Sequence, residues 1–113
     1  MPKISFRLDF PGGERLGPGK VALLEAIERS GSIRRAAETM EMSYRRAWLL
    51  VESVNRLVGT PAVETSQGGR DGGGTRLTPA GRELLCQYAA MARAVDRATA
   101  TGRRAIARLT RRD

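Results

Sequence analysis

The chain opens on a period of two. Ile4, Phe6, Leu8 and Phe10 alternate with Ser5, Arg7 and Asp9, which puts one apolar face on a short strand that Pro11-Gly12-Gly13 ends. Its pairing partner is expected to come from elsewhere. Beyond Gly17-Pro18-Gly19 the period becomes helical: over residues 20–29, Leu23, Leu24 and Ile27 make one stripe and Glu25, Glu28 and Arg29 the other, and Ser30-Gly31 closes the helix. Ser32 then offers an N-cap hydroxyl, followed by Ile33, Ala36, Ala37 and Met40 at i, i+3, i+4 and i+7. The two alanines in this short helix let another helix come close. Ser43, three residues after Met40, is a second N-cap, and it opens a longer helix with Ala47, Leu50, Val51, Val54 and Val58 on one face, stopped by Gly59-Thr60-Pro61. A short connection between two amphipathic helices, the second longer, is the outline of a helix-turn-helix.

Stepping about 100° per residue from Ala47 puts Arg45, Leu49, Glu52 and Arg56 on the opposite side, with Arg46 and Ser53 flanking it and Trp48 on the other edge. In a helix-turn-helix the first turn of the second helix meets base edges, so Ser43, Tyr44, Arg45, Arg46 and Trp48 are the candidate readers. The competing reading makes Tyr44 and Trp48 half-buried packing residues and the arginines a solvated face. Leu49 fits neither, unless it meets thymine methyls or a partner. Downstream, Ala62-Val63-Glu64-Thr65-Ser66 and Thr75-Arg76-Leu77-Thr78 flank an eight-residue tip with five glycines, a hairpin whose charged members are Arg70 and Arg76. The tip matches no phosphate-cradling glycine motif, so a wing touching DNA backbone is the better account.

Thr78-Pro79 suits the N-cap and first position of a last helix, along which Leu84, Tyr88, Met91, Val95 and Ala98 are spaced 4, 3, 4, 3. That stripe suits packing against a twin helix in a homodimer; the alternative is a helix folded back on its own domain. Gly102 is expected to break it, leaving at most another turn or two around Ile106 and Leu109. Cys86 is expected to be an inert, partly buried thiol. The resulting organisation is a winged domain over 1–78, a dimerisation helix over 79–101 and a basic tail over 102–113.

Composition narrows the function classes. The 113 residues, 41% apolar, suit one small domain with a conventional core. Twenty Lys+Arg against 12 Asp+Glu give a net charge of +8, and 18 of the 20 are Arg, the residue that grips phosphate and guanine edges bidentately. The last 21 residues hold seven of these Arg, which reads either as a solvated, frayed tail or as added affinity for polyanions. There is no His and one Cys, which removes a disulfide framework, a Cys/His zinc site and the Ser-His and Cys-His nucleophile pairs. An enzyme is not expected, nor a metal or cofactor. With no signal-like apolar run and no stretch of 18 apolar residues, a cytoplasmic chain without a membrane partner is expected.

Strand, helix, helix, turn, helix, two-stranded wing and long helix together make a winged helix-turn-helix, mainly α with a small β wing and a long C-terminal dimerisation helix. Three sets of words carry a more specific likeness: Gly31-Ser32-Ile33-Arg34-Arg35-Ala36-Ala37, Met42-Ser43-Tyr44-Arg45-Arg46-Ala47-Trp48, and Val63-Glu64-Thr65 with Gly68-Gly69-Arg70-Asp71-Gly72-Gly73-Gly74 and Leu77-Thr78. On these the stretch 17–88 resembles the N-terminal DNA-binding domain of the ModE family of molybdate-responsive transcriptional regulators, related more distantly to the LysR type. The resemblance implies a dimeric, operator-specific DNA-binding transcriptional regulator. Its candidate contacts with double-stranded DNA are Ser32, Arg34, Arg35, Ser43, Tyr44, Arg45, Arg46, Trp48, Arg70 and Arg76, and its dimer contacts Leu84, Tyr88, Met91 and Val95. Two departures stand out. The turn position that usually carries Gly is Glu41, which is expected to sit at positive φ. Family members that sense molybdate do so through further C-terminal oxyanion-binding domains, so molybdate is not expected to bind this chain alone. A winged-helix protein-interaction module is the alternative function, distinguished by a duplex affinity that ignores salt. RNA binding lacks the aromatic strand platform it would need.

Overall fold

The computed structural model describes residues 1–66 and 74–110. In chain order the elements are β1 (Leu8–Asp9), β2 (Arg15–Leu16), α1 (Pro18–Ser30), α2 (Ile33–Thr39), α3 (Tyr44–Val58), β3 (Val63–Ser66), β4 (Gly74–Leu77) and α4 (Pro79–Thr110).

The helix boundaries follow from local chemistry. Ser32 and Ser43 each accept a hydrogen bond on Oγ from the backbone N–H three residues on, Arg35 at 3.1 Å and Arg46 at 3.0 Å. Gly31 (φ 71°) and Gly59 (φ 84°) end α1 and α3 in the left-handed conformation that glycine adopts without a side-chain penalty. Between α2 and α3 the turn is made with Glu41 at φ 57°, as the sequence implied, and it is the one non-glycine at positive φ among the described residues. Thr78 caps α4 by accepting from Gly81 N–H at 3.1 Å.

Three expectations are corrected. β1 does not wait for a distant partner: it pairs antiparallel with β2, Leu8 opposite Leu16 and Asp9 opposite Arg15. Pro11-Gly12-Gly13 is therefore a hairpin turn, made possible by Gly13 at φ 93° and closed by Gly13 N–H donating to the Phe10 carbonyl at 2.9 Å. Gly102 does not end α4, which runs on to Thr110. One glycine costs a helix only about 1 kcal/mol, and Arg103 bridges back to Thr99 Oγ1 (3.0 Å) and the Asp96 carboxylate (2.8 Å) on the preceding turns. Cys86, finally, is exposed.

The core has two parts. The larger joins Leu23, Leu24 and Ile27 of α1, Ile33, Ala36 and Ala37 of α2, Ala47, Val51 and Val54 of α3, and Ala62, Val63 and Leu77 around the wing. Ala36 and Ala47 are fully buried, so α2 and α3 approach at the small residues the stripe provided. The smaller part, Leu16, Val21 and Tyr88 with Phe6, Leu8 and Phe10 against them, fixes the N-terminal hairpin to α1 and α4. Phe6 and Tyr88 stack with ring centroids 4.6 Å apart, and Tyr88 Oη donates to the Phe6 carbonyl at 2.7 Å. No helix among the described residues is long and apolar enough to cross a membrane.

The wing pairs Val63 with Leu77, Glu64 with Arg76, Thr65 with Thr75 and Ser66 with Gly74. Its base is anchored from three sides. Thr75 N–H donates to the Gly31 carbonyl (3.0 Å), Thr78 Oγ1 to the Pro61 carbonyl (2.7 Å), and Asn55 Oδ1 accepts from the N–H groups of Ala62 (2.8 Å) and Val63 (3.1 Å).

Candidate nucleic-acid interface

α3 buries Ala47, Val51 and Val54 and turns its opposite face out. Ser43, Arg45 and Arg46 are exposed. Tyr44, Trp48 and Leu49 are nearly half exposed, which is uncommon for three large apolar surfaces within six residues of one helix. Together they form two shallow depressions, one lined by Ser43, Arg45, Arg46, Leu49 and Leu50, the other by Tyr44, Arg45 and Trp48. Tyr44 and Trp48, 44% and 45% exposed, are half-buried and still leave a broad aromatic surface open beside the arginines.

The cations on this face differ in how they are held. Arg34, at the start of α2, lays its guanidinium over the Tyr44 ring, 4.6 Å from the centroid, which ties the first turns of α2 and α3 together. Arg34, Arg35, Arg45 and Arg46 take part in none of the six ion pairs among the described residues. Their donors face water, and exchanging water for a phosphate or a guanine edge costs no existing ion pair. Arg76 is held differently: its Nε donates to Glu64 Oε1 at 3.3 Å across the wing, both side chains well exposed. Arg70 lies outside the described residues.

On the stripe expected to pair with a twin helix, the four candidates separate. Tyr88 is buried against the N-terminal hairpin and Leu84 packs against both core clusters, so these two are used within the chain. Met91 is 39% exposed and Val95 partly exposed, on the stretch of α4 beyond the core.

A polar network missed by sequence reasoning positions the face from behind. Buried Ser53 of α3 donates from Oγ to Glu14 Oε1 (2.6 Å) and accepts from Lys20 Nζ (2.8 Å), which also donates to the Arg15 carbonyl (2.6 Å). Arg56 Nε completes it on Glu14 Oε2 at 3.3 Å. The Ser53 hydroxyl, ahead of the Arg56 and Lys20 charges and against a partial loss of solvent, holds the Glu14 carboxyl below the usual glutamate range. Asn55 was missed likewise. The only hint of it was the Gly59-Thr60-Pro61 turn, which brings the wing back beside α3.

The comparisons agree with this architecture. The model of the lysR family of bacterial regulatory helix-turn-helix proteins matches residues 19–82. The molybdenum transport protein ModE of Azotobacter vinelandii is 45% identical over 84 residues, 74% of this chain and 31% of its own length. Its counterpart from Herbaspirillum seropedicae is 53% identical over 74 residues, covering 66% of this chain and 28% of its own. The molybdenum-pterin-binding protein MopB of Rhodobacter capsulatus is 47% identical over 79 residues, covering 70% and 29%. The chain thus spans less than a third of the length of these relatives. Among solved structures, the CbnR DBD in its DNA complex superposes with a TM-score of 0.61 at 19% identity over 78% of this chain and 95% of that one, a likeness of fold. ArgP from Mycobacterium tuberculosis gives 0.53 at 27% identity over 76% and 30%. With a helix-turn-helix and wing spanning the matched residues, the chain belongs to the lysR family of bacterial regulatory helix-turn-helix proteins.

Proposed function

We propose that the chain is the DNA-binding part of a sequence-specific transcriptional regulator of the molybdate-responsive kind, acting in the cytoplasm as a homodimer. The observation that carries this reading is the start of α3, where Arg45 and Arg46, without ion-pair partners among the described residues, stand beside exposed Tyr44, Trp48 and Leu49. In the major groove the arginines suit guanine O6 and N7, and Leu49 and Trp48 suit thymine methyls. Ser32, Arg34 and Arg35 at the head of α2, and Arg76 with Arg70 on the wing, take the flanking phosphates. Homodimerisation through the open side of α4 gives a two-fold protein that fits an inverted-repeat operator.

Duplexes selected by the purified protein from a random pool test the reading. A shared motif is expected, with affinity falling linearly in log[salt] as phosphates release counterions. A duplex affinity that ignores salt would favour a protein-docking module instead.

A further inference from the structure

The family match begins at residue 19, so the β1–β2 hairpin lies outside it. This hairpin sits beside the start of α3. Between the two runs a groove of about 490 Å³, lined by Arg7 and Arg15 of the hairpin, Lys20 of α1, and Met42, Arg46 and Leu50 of the helix-turn-helix. Arg7 is drawn against the head of α1 because residue 17 is glycine: a Cβ there would stand 3.0 Å from Arg7 Cβ. The hairpin is fixed on both sides, by Tyr88 Oη donating to the Phe6 carbonyl, and by Lys20 Nζ donating to the Arg15 carbonyl and the Ser53 hydroxyl to Glu14 Oε1.

The charges of the groove do not cancel. Arg7 and Arg15 share one carboxylate, Asp9, with Nε–Oδ1 distances of 2.9 and 4.0 Å, and their side chains remain 53% and 64% exposed. The hairpin's other acid, Glu14, is turned away to Ser53 and Arg56. Lys20 is committed to Ser53 and the Arg15 carbonyl. Exposed pairs such as Arg7–Asp9 contribute little, so a second anion can displace or share them. Arg46 reaches the same groove from the helix placed in the major groove by the reading above. We propose that the β1–β2 hairpin is a second DNA-contacting element, in which Arg7 and Arg15 take phosphodiesters of the strand flanking the bases under α3, with Arg46 at the seam between this groove and the base-reading face. This rests on the DNA-binding reading.

The test compares the full chain with the Arg7→Gln/Arg15→Gln pair, the Arg7→Lys/Arg15→Lys pair and Asp9→Asn, on the duplex selected by wild type. The Gln pair is expected to keep the base preference while its salt slope becomes shallower by about 2, one counterion for each lost phosphate. The Lys pair should keep the wild-type slope, and ethylation interference at the flanking phosphates should vanish in the Gln pair alone. Asp9→Asn removes the competing carboxylate and should raise affinity several-fold, a gain that misfolding does not produce. Wild-type slope and interference in the Gln pair would overturn the hairpin contact while leaving DNA binding by α3 intact. A wild type that binds no duplex at any salt would overturn both. Saturable sub-millimolar binding of inorganic phosphate to wild type, lost in the Gln pair without change in duplex affinity, would instead make the groove a free-anion site and overturn the proposal.

Discussion

Arg45 and Arg46 lie within one turn of the Ser43 cap, at the helix end that the proposed reading puts in the groove, whereas Arg76 sits on the wing with Glu64 as its partner. Replacing Arg45 or Arg46 with Ala should cost roughly 1–3 kcal/mol of operator binding and relax preference at one or two base pairs. Arg76→Ala should weaken operator and scrambled duplex alike. Binding isotherms on both duplexes check this, and equal losses from all three changes would contradict the division of roles. A second single-residue effect sits at Gly81, where an added Cβ would run into the Ala62 carbonyl, itself the acceptor for Thr78 N–H at the base of the wing. Both the helix and the turn that meet there are held by hydrogen bonds, so neither can retreat cheaply. Gly81→Ala is expected to destabilise by about 1–3 kcal/mol, read as a lowered urea midpoint.

The N-terminal hairpin reaches α3 through Glu14, and this contact is stronger when the carboxylate is charged. Because the folded-state pKa lies below the unfolded one, the stabilisation is complete above the usual glutamate range. It is lost as pH falls through that range to the lowered value. Wild type should therefore lose more of its urea midpoint between neutral and acid pH than Glu14→Gln does, and parallel losses would show the clip to be inert. Elements of this kind also mark the limit of what the sequence discloses. The caps at Ser32 and Ser43, the glycine stops and the strained Glu41 were legible because donor and acceptor are a few residues apart. Ser53 and Glu14 are 39 residues apart, and Tyr88 meets the Phe6 carbonyl across 82. Tyr88 shares its stripe with Met91 and Val95, and periodicity gives the apolar face without saying which partner fills it. The strand partner was missed for a related reason: a two-residue β2 carries no alternation to detect.

In the whole molecule α4 begins in the core and leaves it, carrying Met91, Val95, Ile106 and Leu109 outward at roughly heptad spacing, with Ile106 53% and Leu109 82% exposed. Such a stripe is expected to close against its twin. Met91→Glu with Val95→Glu would place four like charges on the proposed dimer seam and should yield a folded monomer with weakened operator binding. Sedimentation equilibrium checks it, and a wild type monomeric at tens of micromolar would end the idea. Molybdate at micromolar levels should leave the affinity for DNA unchanged. Tight oxyanion binding needs a preformed set of converging donors, and the buried side-chain polar atoms among the described residues are already hydrogen-bonded within the chain. Calorimetric titration is the measurement, and a saturable micromolar signal would refute this.

The departing helix also sets the outline of the molecule. The radius of gyration is 17.0 Å and the extents are 58 × 33 × 22 Å, against a radius of about 13 Å for a compact chain of ~100 residues. A globule with a rod attached drags on solvent more than a sphere of equal mass. A single chain will elute early from a sizing column, close to where a compact pair would, so elution volume confuses elongation with association and mass must come from light scattering or equilibrium sedimentation. Tumbling is unequal as well. NMR relaxation should show amide vectors along α4 reorienting more slowly than those across it.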